Sequence, residues 1–119
     1  MPKKHKQGRH APAFILLFLA EGPSYGLDLL KKMDSLLPYN KIDSAAIYRS
    51  LKDLEKEELV ISEWDTSNSG PAKKYYRITD KGLKELTEFK KHIEAKIQNL
   101  NFFLGKYEDL KSKGVEIGE

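Results

Sequence analysis

The chain opens on an unbroken apolar run, Ala13 to Ala20. Apolar on every side, this run predicts a short helix over Pro12 to Ala20 at the centre of a core, with proline tolerated in the first helical turn. The segment GPSYG then breaks the chain, and Ser24 is placed to cap a second helix. That helix carries Leu27, Leu30, Met33 and Leu37 at spacings of three and four. Pro38 ends it.

A third helix starts at Asp43 or Ser44, either of which can cap it. Ile47, Leu51 and Leu54 fall within about 60° of one another on a helical wheel. The opposite side holds Ala45, Tyr48, Arg49, Lys52 and Lys56. One face is therefore core, and the other is small, aromatic and cationic. Asp53, Glu55, Glu57 and Glu58 make the back half anionic, the half expected to point away from a polyanionic partner.

Leu59 to Trp64 reads as a strand, Asp65 to Ala72 as a turn-rich tip, and Lys74 to Ile78 as the returning strand of a hairpin. A last helix runs from about Asp80 to Leu110. In it Leu86, Phe89, Ile93, Ile97, Leu100, Leu104 and Tyr107 recur every 3.5 residues on average, the period of a coiled-coil seam. Such a helix is about 45 Å long, more than a three-helix core can cover. Its seam, with Phe103 beside it and Phe14 on the first helix, is expected to be covered by a second copy of the chain.

Charge sharpens this picture. The chain of 119 residues has a net charge of +3. The first ten residues hold Lys3, Lys4, Lys6 and Arg9 with no acid, so the remaining 109 sum to −1. A basic arm on a neutral body suits a polyanion. The hairpin is also basic, with Lys73, Lys74, Arg77 and Lys81 against Asp80 alone between Pro71 and Gly82. There are no cysteines, which excludes disulfides and fits a reducing compartment. The apolar run at the start is too short to span a bilayer, and no small-x-small cleavage site follows it directly. A cytoplasmic protein with no membrane contact is expected.

Three short helices followed by a hairpin is the order of a winged helix-turn-helix, in which the third helix enters the major groove and the hairpin lies along the backbone. The fold expected is mainly α with a small β-hairpin: a basic arm over 1–10, a winged helix-turn-helix domain over 11–80, and a long C-terminal dimerisation helix and tail over 81–119. Ser44 and Ala45 permit close approach to bases, Tyr48 can donate to a phosphate, and Arg49 and Lys52 can reach phosphate or a guanine edge. Lys3 and Lys4 join this double-stranded DNA-binding set. A winged-helix module devoted to protein contacts is the alternative.

Three strings carry a closer likeness: AEGPSYGLDLLKKM, DSAAIYRSLKDLEKEELV and SGPAKKYYRITDKG. Together they resemble the PadR family of bacterial transcriptional regulators, over about Ala13 to Leu86. The resemblance implies a dimeric winged-helix repressor that binds a palindromic operator and is released by a small-molecule effector. By position Tyr48 matches the recognition-helix tyrosine, and Lys73, Lys74 and Tyr75 match the basic wing. Two positions depart from the family: Arg49 stands where proline usually follows the tyrosine, and Leu27 where an aromatic residue is common.

In some small members of the family a tryptophan on the final helix stacks flat drugs between subunits. Here the only tryptophan, Trp64, lies in the first hairpin strand, and the effector contacts expected are Trp64, Phe89 and Ile93. His5, His10 and His92 are scattered and pair with no obvious nucleophile or carboxylate, and GPSYG lacks the lysine and spacing of a phosphate loop. No catalytic residue, metal site or cofactor is expected.

Overall fold

The computed structural model describes residues 10–39, 43–67 and 69–118. In chain order they form α1 (Ala11–Glu21), β1 (Ser24–Tyr25), α2 (Gly26–Leu36), α3 (Ser44–Lys56), β2 (Val60–Asp65), β3 (Lys73–Ile78) and α4 (Asp80–Ser112). The division falls after Leu86: one compact unit ends there and a second begins at Thr87.

In the first unit α1 is the hub. Seven of its eleven residues are buried, as an all-round apolar helix requires. Ile15, Leu16 and Leu19 share the core with Leu29 and Met33 of α2, Ile47, Leu51 and Leu54 of α3, and Leu59 and Val60 at the entry to the hairpin. The face expected of α3 is therefore the face it buries.

Two expectations for the second helix are corrected. Ser24 does not cap it. Ser24 and Tyr25 pair with Tyr76 and Tyr75 as a short antiparallel strand. That pairing holds the chain extended until Gly26 and leaves Tyr25 at the N-cap without a side-chain cap bond. The buried stripe is also rotated: Leu29 and Met33 are fully buried, whereas Leu27 is 51% exposed and Leu30 and Leu37 are half-buried. Starting the helix at Gly26 turns the i, i+4 pair Leu29–Met33 toward the core.

The hairpin is thus the larger part of a three-stranded antiparallel sheet of order β1-β3-β2. At its base Leu59 donates to the Leu54 carbonyl and Glu58 to that of Glu55, each at 2.9 Å. Glu58 takes the left-handed conformation, φ 65°, that turns the chain out of α3. Thr79 joins this turn to α4. Its hydroxyl donates to the Glu58 carbonyl at 2.8 Å and accepts from the Gly82 amide at 3.0 Å. A Cβ on the buried Gly82 would run into the Leu59 carbonyl oxygen.

In the second unit Phe89 is buried, and Ile93 and Tyr107 are half-buried. Ile97, Leu100, Phe103 and Leu104 are 50–61% exposed in the single chain. Among the described residues no helix is long and apolar enough to cross a membrane.

Candidate nucleic-acid interface

Asp43 caps α3, its carboxylate accepting from the Ala46 amide at 2.9 Å. The cap sits immediately ahead of Ser44 and Ala45, so it fixes the front turn of α3. Ser44, Ala45, Tyr48, Arg49 and Lys52 are all exposed. With Ile47, Leu51 and Leu54 fully buried, the helix cannot turn this polar face away from solvent.

Tyr48 is held from behind by a missing side chain. A Cβ on Gly26 would come to 2.5 Å from Cε1 of the Tyr48 ring and 3.0 Å from its hydroxyl oxygen. The ring therefore lies on the first residue of α2. Tyr48 forms one wall of a cleft of about 370 Å³, whose other walls are Tyr25–Asp28 and the β3 residues Lys73, Lys74 and Tyr76. Three segments far apart in sequence meet here, bringing Tyr48 together with both wing lysines.

Strand alternation separates those lysines. Lys74 shares a face with Trp64 and Tyr76, whereas Lys73 shares the other with Asp65 and Tyr75. Lys74 lies 5.7 Å from the Trp64 ring centroid and 3.9 Å from Glu55. The same Glu55 accepts from the Ser62 hydroxyl at 2.7 Å. One carboxylate from the anionic half of α3 is thus turned onto the hairpin and fixes its angle. Arg77 pairs with the exposed Glu63 at 3.3 Å, a contact of little energetic weight at such exposure.

The opposite face is organised by Tyr25. Its hydroxyl donates to Asp65 Oδ2, its ring centroid is 4.9 Å from that of Tyr75, and the Lys73 ammonium lies 5.6 Å from the ring centroid. The Ser67 hydroxyl, the Tyr25 hydroxyl and the Ser67 amide all donate to Asp65, and Lys73 adds its charge. Together they hold the carboxyl at about 2, below its ordinary 3.8. Tyr25 is raised in turn, chiefly because its proton is held by Asp65. Burial raises Tyr76.

Of the remaining expected residues, Lys3 and Lys4 lie outside the described residues. Tyr75 is half-buried between β1 and β2. Phe14 is half-buried on α1, its ring 6.5 Å from that of Phe18, and Leu86 is half-buried. Trp64 is 63% exposed on β2, and Phe89 and Ile93 belong to α4. Among the described residues no cluster of three histidine or acidic side chains could hold a metal.

Sequence reading missed Tyr25, Gly26, Glu55 and Asp65 as parts of this face. Asp65 left a local signal: Asp-Thr-Ser at the head of a turn is a pattern for an aspartate that bonds the backbone two residues on, as it does to Ser67 at 3.0 Å.

An exposed, cationic third-helix face beside a three-stranded wing defines a DNA-binding winged helix. Residues 15–88 match the transcriptional regulator PadR-like family, and the chain belongs to that family. Among solved structures it is similar to a PadR-like transcriptional regulator from Bacillus cereus, at 32% identity over 78% of this chain and 89% of that one, with a TM-score of 0.65. A transcriptional regulator from Clostridium thermocellum is 26% identical, covering 87% of this chain and 97% of that one, with a TM-score of 0.70. Bacillus subtilis PadR, solved in complex with operator DNA, is 26% identical over 66% of this chain, with a TM-score of 0.61. This chain spans 45% of that protein's length.

Proposed function

We propose that this protein is a homodimeric regulator of transcription that binds a palindromic operator and represses until a small-molecule effector releases it. The observation that carries the reading is the meeting of Tyr48 with Lys73 and Lys74 around one cleft, beside the exposed front of α3. Ser44, Ala45, Arg49 and Lys52 are the residues offered to base edges. Tyr48, Lys73 and Lys74, with Tyr75 on the Lys73 face of the wing and Lys3 and Lys4 on the arm, are offered to the phosphates.

The dimer rests on α4. Ile97, Leu100, Phe103 and Leu104 are at least half exposed, and each apolar side chain left in water forgoes roughly 1.5–3 kcal/mol of burial. A second copy would cover the seam, and Leu86, Phe89, Ile93, Tyr107 and Phe14 are the other residues assigned to the dimer, Phe89 being already buried in the single chain. Two-fold symmetry then places two recognition helices on successive turns of a duplex. The site of action is the cytoplasm, and the effector contacts are assigned to Trp64, Phe89 and Ile93.

Titration of duplexes from the promoter regions around the protein's own gene, at several salt concentrations, tests this. Affinity should fall steeply as salt rises, because phosphate contacts release counterions. Arg49→Ala should weaken operator binding more than binding to unrelated DNA, and Lys73→Ala should weaken both. Equal losses on both duplexes for Arg49→Ala would mean that α3 is not the reader. Trp64 fluorescence screened against planar aromatic compounds tests the effector; a flat response across a broad panel removes that part of the proposal.

A further inference from the structure

The sheet supports its own hairpin over a short length only. β1 pairs with β3 at Tyr75 and Tyr76 alone, so Trp64 and Asp65, facing Lys74 and Lys73, form a ribbon of two strands. A two-stranded ribbon is marginally stable in water, yet this one carries the wing lysines. The Tyr25 side chain reaches where its backbone does not. From β1 it crosses the middle strand over the Tyr75 ring, and its hydroxyl ends on Asp65 of β2.

The far side of the same carboxylate orders the tip. Asp65 Oδ1 accepts from the Ser67 amide at 3.0 Å and from the Ser67 hydroxyl at 2.7 Å. One oxygen faces the tip and the other faces the strap. Lys73, directly across from Asp65 in the register, lies over the strap's ring. The residue that ties down the tip is therefore also the one on which the lysine rests, and it is the N-cap of α2, which is fixed in the core through Leu29 and Met33.

We propose that Tyr25 and Asp65 are positioning residues for DNA binding, a strap across the sheet that holds the wing tip and Lys73 in the orientation a duplex requires. This rests on the DNA-binding reading above. A wing that swings freely presents Lys73 to the phosphates for only part of the time, and affinity falls by that fraction. A different account, in which Asp65 is only a surface anion, has the opposite sign. Removing a negative charge from a phosphate-facing wing would then tighten binding.

The test uses the full chain and a promoter duplex, titrated at several salt concentrations. Wild type is compared with Tyr25→Phe, Asp65→Asn, Lys73→Ala and the double variant Tyr25→Phe/Lys73→Ala. Tyr25→Phe deletes one oxygen, and Asp65→Asn leaves one accepting oxygen where two are used. Each should bind about 3- to 10-fold more weakly at a temperature where circular dichroism shows both variants fully folded. Lys73→Ala should cost much less on top of Tyr25→Phe than it does alone, which a merely structural loss would not produce.

Amide exchange at Ser67, read without DNA, should quicken in Tyr25→Phe. Four results would overturn the strap: Tyr25→Phe binding like wild type, Asp65→Asn binding more tightly, additive losses with Lys73→Ala, or unchanged Ser67 protection. If wild type itself shows no salt-dependent DNA binding, the underlying reading fails, and the wild-type titration alone reveals it.

Discussion

Tyr48 rests on Gly26: the ring of the recognition-helix tyrosine occupies the space that a side chain at the start of α2 would need, with Cε1 only 2.5 Å from the position of a Cβ. The tyrosine we propose for the DNA backbone is thus aimed by a residue with no side chain, 22 positions earlier. The atom in the way belongs to the end of an exposed side chain, so it can move without unfolding the domain.

Gly26→Ala should therefore fold with an unfolding midpoint near that of wild type while displacing Tyr48. Operator affinity should drop toward that of Tyr48→Ala. Combining the two changes should add little, because they share one contact. Full additivity in a binding titration would mean that Gly26 does not aim the tyrosine.

Gly82→Ala should behave in the reverse way. Here the obstacle is the Leu59 carbonyl in the turn between α3 and β2, and backbone cannot step aside as a ring can. We expect a loss of about 1–3 kcal/mol in chemical denaturation, the scale of overpacking. DNA binding per folded molecule should change little. An unchanged denaturation midpoint would show that the junction yields.

Asp43→Ala removes the side-chain cap of α3, the bond from the Ala46 amide. Loss of such a cap costs about 1 kcal/mol. The fraying falls on Ser44 and Ala45, so operator binding should suffer more than binding to unrelated DNA. Asp43→Ser, which keeps a capping oxygen, should recover most of both losses.

Leu100→Asp with Leu104→Asp places two charges on the exposed seam of α4. If the proposed dimer forms through this seam, sedimentation should report a single chain at a concentration where wild type sediments as two, with helical circular dichroism retained. A wild type that already sediments as a single chain would remove the seam's role.

The acid side of the stability profile follows from Asp65. Its carboxyl is depressed from 3.8 to about 2 in the folded chain. The stabilisation it gives is therefore present above 3.8 and is lost as pH falls through the lower value. Trp64 fluorescence should follow this loss, because Trp64 precedes Asp65 on β2. In Tyr25→Phe one of the two hydroxyl donors is gone, and the carboxyl should titrate closer to its ordinary value. An Asp65 resonance that titrates near 3.8 in wild type would contradict the observed bonding.

Much of this protein is written in local periodicity. The all-round apolar α1, the buried Ile47–Leu51–Leu54 stripe and the 3.5-residue repeat of α4 follow from spacing alone, because burying one face of a regular element needs a repeat that matches its geometry. The exposed cationic front of α3 follows from the same wheel. What spacing could not settle was the phase of α2 and the third strand. Two residues, Ser24 and Tyr25, have no period to read, and they became a strand only because β3 offered unpaired backbone groups beside them. That pairing set where α2 begins, and the starting point chose Leu29 over Leu27 for the core. The cleft was equally hidden. Tyr25, Tyr48 and Lys73 are brought together by the packing of three elements, and contacts between residues so far apart in the chain leave no mark in either one's neighbours.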